Sequence, residues 1–178
     1  VVRRAPVGAV LYGLLRPVVD QDLSVVFYDM TTIRAEGLSM QAADVRKFGM
    51  AKEGLIARQF MLGVVQTADG LPIYHEVFDG NTAETKTLLP TLAKVMERFP
   101  HIRRLVLVAD RGLLSLDNLK ALQAIKLGKD QALEFILAVP GRRYHEFADL
   151  LAPFHKQCAQ VQQEITGEVA WNGLRLVM

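Results

Sequence analysis

The chain has 178 residues, 51% of them hydrophobic and 22% charged, enough apolar material for one substantial core and too much for an intrinsically disordered segment. Net charge is +2 and the pI is near 8.8, so bulk charge permits a nucleic-acid partner without arguing for one. Cys158 stands alone, which excludes a disulfide framework and a cysteine-based zinc site and fits a reducing cytoplasm.

The first 23 residues read as a flanking segment. Val1-Val2-Arg3-Arg4 and the apolar stretch to Leu15 imitate a signal peptide, but Arg16-Pro17 interrupts it and no small-residue cleavage pattern follows. No apolar run reaches the roughly 20 residues needed to cross a bilayer, so no membrane role is expected. The chain starts without a methionine and stops inside an apparent strand, and is expected to be a piece of something longer.

Ser24-Val25-Val26-Phe27-Tyr28 is β-branched and aromatic and predicts a strand that delivers Asp29 into Met30-Thr31-Thr32. Residues 34–58, punctuated by Gly37, Gly49 and Gly54, read as an irregular excursion. Gln59–Gln66 and Pro72–Phe78 form a hairpin pattern around Ala68-Asp69-Gly70, whose Asp-Gly pair permits positive φ. Asp79-Gly80-Asn81-Thr82 closes it. Leu88, Leu92, Val95, Met96 and Phe99 recur at helical spacing, with Pro90 acceptable in a first turn that begins near Thr87 and with Pro100 marking the end.

Leu105-Val106-Leu107-Val108-Ala109 is a second apolar strand, closed by Asp110 and followed at once by Arg111-Gly112. A helix from about Leu116 to Lys126 follows, with Ser115 as N-cap. Glu134–Val139 reads as a strand stopped by Pro140-Gly141. The order β, β-hairpin, α, β, α, β predicts an α/β mixed sheet: three antiparallel strands plus two joined through helices. Beyond it, a short helix Glu146–Leu151 before Pro153 is expected. Strands over Gln160–Ile165 and Glu168–Met178 should follow, with turns at Thr166-Gly167 and Trp171-Asn172-Gly173.

Two aspartates, far apart in sequence and each closing an apolar strand, suggest a metal site that only the fold can assemble. Hard carboxylate oxygens suit one or two Mg²⁺ (or Mn²⁺) ions with open positions for water and a phosphate oxygen, an arrangement suited to phosphodiester cleavage and strand transfer. The competing account is structural, since aspartate is common in turns and helix caps. His75 and Glu76 have no partner at metal-ligand spacing and read as packing or surface residues.

Val106–Gly112, Tyr28–Thr32, Gly70-Leu71-Pro72 and Phe78–Thr82 together resemble the catalytic core of bacterial insertion-sequence transposases of the DDE type, over roughly residues 24–139. The resemblance implies a ribonuclease H-like core over 24–141, with 142–178 opening a β-rich insertion. It also implies Asp29 and Asp110 as the first two acidic residues of the triad and as metal ligands. Its implied partners are DNA, both element ends and target, and a second copy in a synaptic homodimer. The family places its third acid, a glutamate, in a pattern of Tyr, two residues, Arg, three residues, Glu, six residues, Lys. No tyrosine here has an arginine three positions on, and Tyr144 is followed there by Phe147. The glutamate helix is therefore expected beyond Met178, and catalysis is expected to be incomplete in this segment.

Basic residues come in pairs, Arg3-Arg4, Arg46-Lys47, Arg103-Arg104 and Arg142-Arg143, of which Arg142 and Arg143 are candidates for a DNA channel or a solvated loop. Arg111 could meet a DNA phosphate or pair with a carboxylate. Three rivals remain. One is a non-catalytic transposase remnant that folds or binds DNA, and another a ribonuclease H-like nuclease that only hydrolyses. The third, an aspartyl-nucleophile phosphatase, needs a second acid where the chain has Thr31.

Overall fold

The computed structural model describes residues 25–35, 44–50, 54–100, 102, 104–127, 131–160 and 164–178. The proposed flanking segment 1–23 lies outside them. The chain divides into two compact units between Ala138 and Val139.

The first unit is a mixed sheet with two helices. Its strands are β1 (Val25–Arg34), β2 (Lys47–Met50), β3 (Ile56–Thr67), β4 (Pro72–Asp79) and β5 (Val106–Ala109). Three more follow: β6 (Lys126–Leu127), β7 (Gln131–Ala132) and β8 (Glu134–Leu137). The main sheet runs β2-β3-β1-β5-β8, with β4 also on β3. β1 is antiparallel to β3 and parallel to β5, and β5 is parallel to β8. The hairpin turn forms where Asp-Gly predicted it, Gly70 taking φ +79°.

The excursion expected over residues 34–58 is partly strand. Within it, β2 pairs with the first four residues of β3, while β4 takes the next stretch of the same β3 edge. Phe48 and Met50 remain exposed, so β2 is held by the ladder rather than by buried side chains, and periodicity carries no sign of it. Gly80 stands at the junction. Its N–H donates to Val45 O, its carbonyl accepts from Gln59 Nε2 at 2.8 Å, and a Cβ there would collide with the backbone of Gln59.

Helix α1 (Leu88–Arg98) buries Leu88, Thr91, Leu92 and Val95, one face at i, i+3, i+4 and i+7. Helix α2 (Leu116–Ala124) is capped as its sequence predicts, Ser115 Oγ accepting the Asn118 N–H at 3.1 Å. Leu88, Leu92, Val95 and Leu122 join one cluster with Val26, Tyr28, Met30, Leu107 and Ala109. Alternation turns Phe27 and Asp29 to the opposite face, together with Phe48, Met50, Ile56 and Ile136, all exposed. Among the described residues of this unit, α1 and α2 cover the face that carries Val26, Tyr28 and Met30.

In the second unit, Gly141–Phe147 is a 3₁₀ segment that leads into α3 (Ala148–Cys158). Pro153 lies inside this helix rather than after it. Proline removes the bond to the Asp149 carbonyl in a helix of which no residue is buried. β9 (Glu168–Trp171) and β10 (Leu174–Val177) form a hairpin around Asn172 (φ 49°) and Gly173 (φ 74°). The expected strand over Gln160–Ile165 is not formed at Gln160, Glu164 or Ile165, and residues 161–163 lie outside the described set. Phe147 and Trp171 meet edge to face at 5.0 Å.

Among the described residues no helix is long and apolar enough to cross a membrane.

Candidate functional site

β1 and β5 pair in parallel up to Tyr28 opposite Ala109. Asp29 follows Tyr28 within β1 and Asp110 follows Ala109 where β5 ends, so the two aspartates come directly after the last paired positions of adjacent strands. Tyr28 and Ala109 are both buried on the helix side, and Asp29 and Asp110 are both exposed.

Each aspartate is fixed locally. Asp29 Oδ1 accepts its neighbour Met30 N–H at 2.8 Å. Asp110 leaves β5 and N-caps the 3₁₀ turn Arg111–Leu113, its Oδ1 accepting Arg111 N–H at 2.7 Å. One oxygen of each carboxylate thus holds backbone, and lone pairs remain for a cation.

Three buried polar residues support this pair from below. The Tyr28 hydroxyl, on a side chain only 2% exposed, donates to Thr87 Oγ1 at 2.9 Å, and Thr87 Oγ1 donates to Glu84 O at 2.7 Å. Burial pushes the Tyr28 pKa up, against the Thr87 and Thr91 hydrogen bonds, which pull it down. Gly63 makes room for this phenol, since a Cβ there would stand 2.7 Å from Tyr28 Oη. Asn118 is 4% exposed, and its Nδ2 donates to Leu113 O at 2.8 Å and Thr85 O at 2.9 Å. The Glu84 carboxylate lies against Gly112, where a Cβ would collide with it.

Both supports end on the 3₁₀ turn Glu84–Lys86 and its successor Thr87. The sequence reading missed Tyr28, Thr87 and Asn118 in this role. The legible trace was polar residues at helix positions that should be apolar, Thr91 on the buried stripe of α1 and Asn118 two residues after Leu116, with Thr87 at the N-cap of α1.

Arg111 is exposed beside Asp110. Arg142 and Arg143 lie in the second unit. Arg143 forks onto Glu146, Nε to Oε1 at 2.8 Å and Nη2 to Oε2 at 2.7 Å, which raises the arginine pKa and lowers that of the glutamate. The Arg142 carbonyl is engaged by His145 Nδ1 at 2.9 Å. Glu76 takes Lys94 Nζ at 2.7 Å and the Tyr74 hydroxyl at 2.8 Å, a surface ion pair rather than a ligand set. Among the described residues no group of three or more His, Cys, Asp or Glu is gathered for a metal.

The first unit is a mixed α/β fold. No family model matches the chain, and no curated protein matches it. Among solved structures it is similar to the piggyBac transposase of a synaptic complex with hairpin DNA, with TM-score 0.51 and 14% identity. That match covers 94% of this chain and 34% of the other. The chain is also similar to the Mos1 transposase of a paired-end complex, with TM-score 0.36, 15% identity, and 89% and 48% coverage. For a Mos1 strand transfer complex the values are TM-score 0.39, 16% identity, and 90% and 48% coverage. This chain therefore spans about a third of the piggyBac chain and about half of the Mos1 chain. The piggyBac match shows a transposase-like fold.

Proposed function

We propose that this chain is the catalytic-core segment of a DDE-type DNA transposase of the insertion-sequence kind, with Asp29 and Asp110 as the first two carboxylates of its metal site. The observation that carries the reading is the parallel register of β1 and β5, which brings two sequence-distant aspartates to one edge of one face. Strand order supports a ribonuclease H-like core: an antiparallel β4-β3-β1 half continued by two parallel strands, β5 and β8.

The donor set fits a hard divalent cation, Mg²⁺ or Mn²⁺, because both side chains offer exposed carboxylate oxygens at adjacent positions. When bound, such a cation lowers the pKa of an attacking water or hydroxyl and stabilises a leaving 3′ oxygen. The chain's own residues position this chemistry. β1 and β5 fix the spacing of the carboxylates, the Met30 and Arg111 amides set their orientation, and Arg111 offers a positive group to a DNA phosphate. A third carboxylate in the family's pattern is not among these 178 residues. The apolar face around the pair, with Phe27 36% and Ile136 61% exposed, offers a bed for the helix that carries it. DNA and a second copy of the chain are the partners of this reading.

A non-catalytic remnant is the second reading, favoured by the absence of a three-ligand group among the described residues. The test is Mn²⁺ titration of the chain followed by electron paramagnetic resonance, with Asp29→Asn and Asp110→Asn alongside. The proposal expects saturable binding that each substitution weakens while circular dichroism stays unchanged. Binding indifferent to both substitutions sinks it.

A further inference from the structure

We infer that Asn118 is a positioning residue for Asp110, acting by clamping the turn after Asp110 to the Glu84–Thr87 turn, which also receives the support of Asp29. The inference rests on the reading of Asp110 as a metal ligand.

Asp110 lies where the β5 ladder ends, and its own turn is closed by two bonds: Leu113 N–H to Asp110 O at 3.1 Å and Leu114 N–H to Arg111 O at 3.4 Å. Short 3₁₀ turns have poor hydrogen-bond geometry and are weak alone. Asn118 supplies what the turn lacks. One Nδ2 hydrogen goes to Leu113 O within the turn and the other to Thr85 O, 33 residues away in sequence. Ser115 Oγ accepts the Asn118 backbone N–H, a bond separate from the two that Nδ2 makes. On the other side, the Tyr28 hydroxyl reaches Thr87 Oγ1 and through it Glu84 O, one residue before Asp29 along β1. The two aspartates are thus referenced to one short segment from opposite directions. The glycine at 112 lets the Glu84 carboxylate close against the turn. A polar side chain this buried with both donors satisfied costs little to keep and much to break, so its effect on geometry is stiff.

The experiment uses the 178-residue chain and compares Asn118→Ala with Ser115→Ala, which loosens the same helix start without touching the Nδ2 bonds. The first readout is native-state hydrogen exchange at the Leu113 and Leu114 amides. Asn118→Ala is expected to accelerate them by about tenfold or more, with the Leu107 and Val95 amides unchanged, as a local opening does. The second readout is the Mn²⁺ half-saturation point, expected to rise by about tenfold, the lower end for loss of an outer support of a metal site. Ser115→Ala should leave that point where it is. Unchanged exchange in the turn overturns the inference. So does an unmoved Mn²⁺ point in a chain whose Asp110→Asn variant does move it. Mn²⁺ binding blind to Asp110→Asn overturns the functional reading instead, and the exchange data still decide the clamp. Should Asn118→Ala not fold, Asn118→Leu, close in size, lacking both donors and adding no charge, gives the same two readouts.

Discussion

Removing the Thr87 hydroxyl should cost more than removing its Tyr28 partner, although both break the same bond. Thr87→Val keeps shape and branching. It leaves the Tyr28 hydroxyl buried, with only Met30 Sδ at 2.9 Å and Thr91 Oγ1 at 3.4 Å as partners. The Glu84 carbonyl loses little, since the Thr87 N–H still reaches it at 3.0 Å. A buried hydroxyl left with poor partners costs about 1–3 kcal/mol, so roughly 1.5–2 is expected here, the sulfur and Thr91 recovering part. Tyr28→Phe removes the hydroxyl itself, while Thr87 keeps its bond to Glu84, so about 0.5–1 kcal/mol is expected. The double variant strands no group and should fall short of the sum by about 1 kcal/mol. Urea unfolding followed by circular dichroism measures this, since with a slope of about 2 kcal/mol/M each kcal/mol moves the midpoint by roughly 0.5 M. Strict additivity, or Thr87→Val milder than Tyr28→Phe, would refute the bond as the buried link between β1 and α1.

Leu122, fully buried on α2 within the main apolar cluster, should cost about 2–5 kcal/mol on substitution by alanine, read by the same urea transition. Gly80→Ala should destabilise by at least 1–3 kcal/mol, roughly the range for overpacking, since its Cβ meets the Gln59 backbone rather than a movable side chain. A melting temperature within error of the parent would contradict that seam. Asp44 receives Arg46 Nε at 2.9 Å and Arg58 Nη2 at 3.0 Å, and the Arg46 hydrogen bonds hold its pKa well below the usual carboxylate range. A folded pKa below the unfolded one means stability present above the ordinary carboxylate pKa and lost as pH falls below it. Asp44→Asn should therefore flatten the fall in unfolding midpoint from about pH 4 down to pH 2, and an unchanged slope there would remove Asp44 from the acid response.

The strands ending at Asp29 and Asp110, the Asp-Gly hairpin, the α1 stripe and the Ser115 cap were legible because each depends on residues within a turn or two. Side-chain alternation, permitted φ and a cap oxygen all act locally. The candidate site was half legible, since the aspartates could be found but not joined. Strand pairing set the parallel register of β1 with β5, gave β2 its place on β3 without burying a side chain, and linked Tyr28 to Thr87 across 59 residues. Pro153 lies inside α3, where the sequence reading ended the helix before it. Local chemistry therefore determined which residues ended the strands, and only non-local pairing, whose partners are chosen by the whole core, decided that two of them share one face.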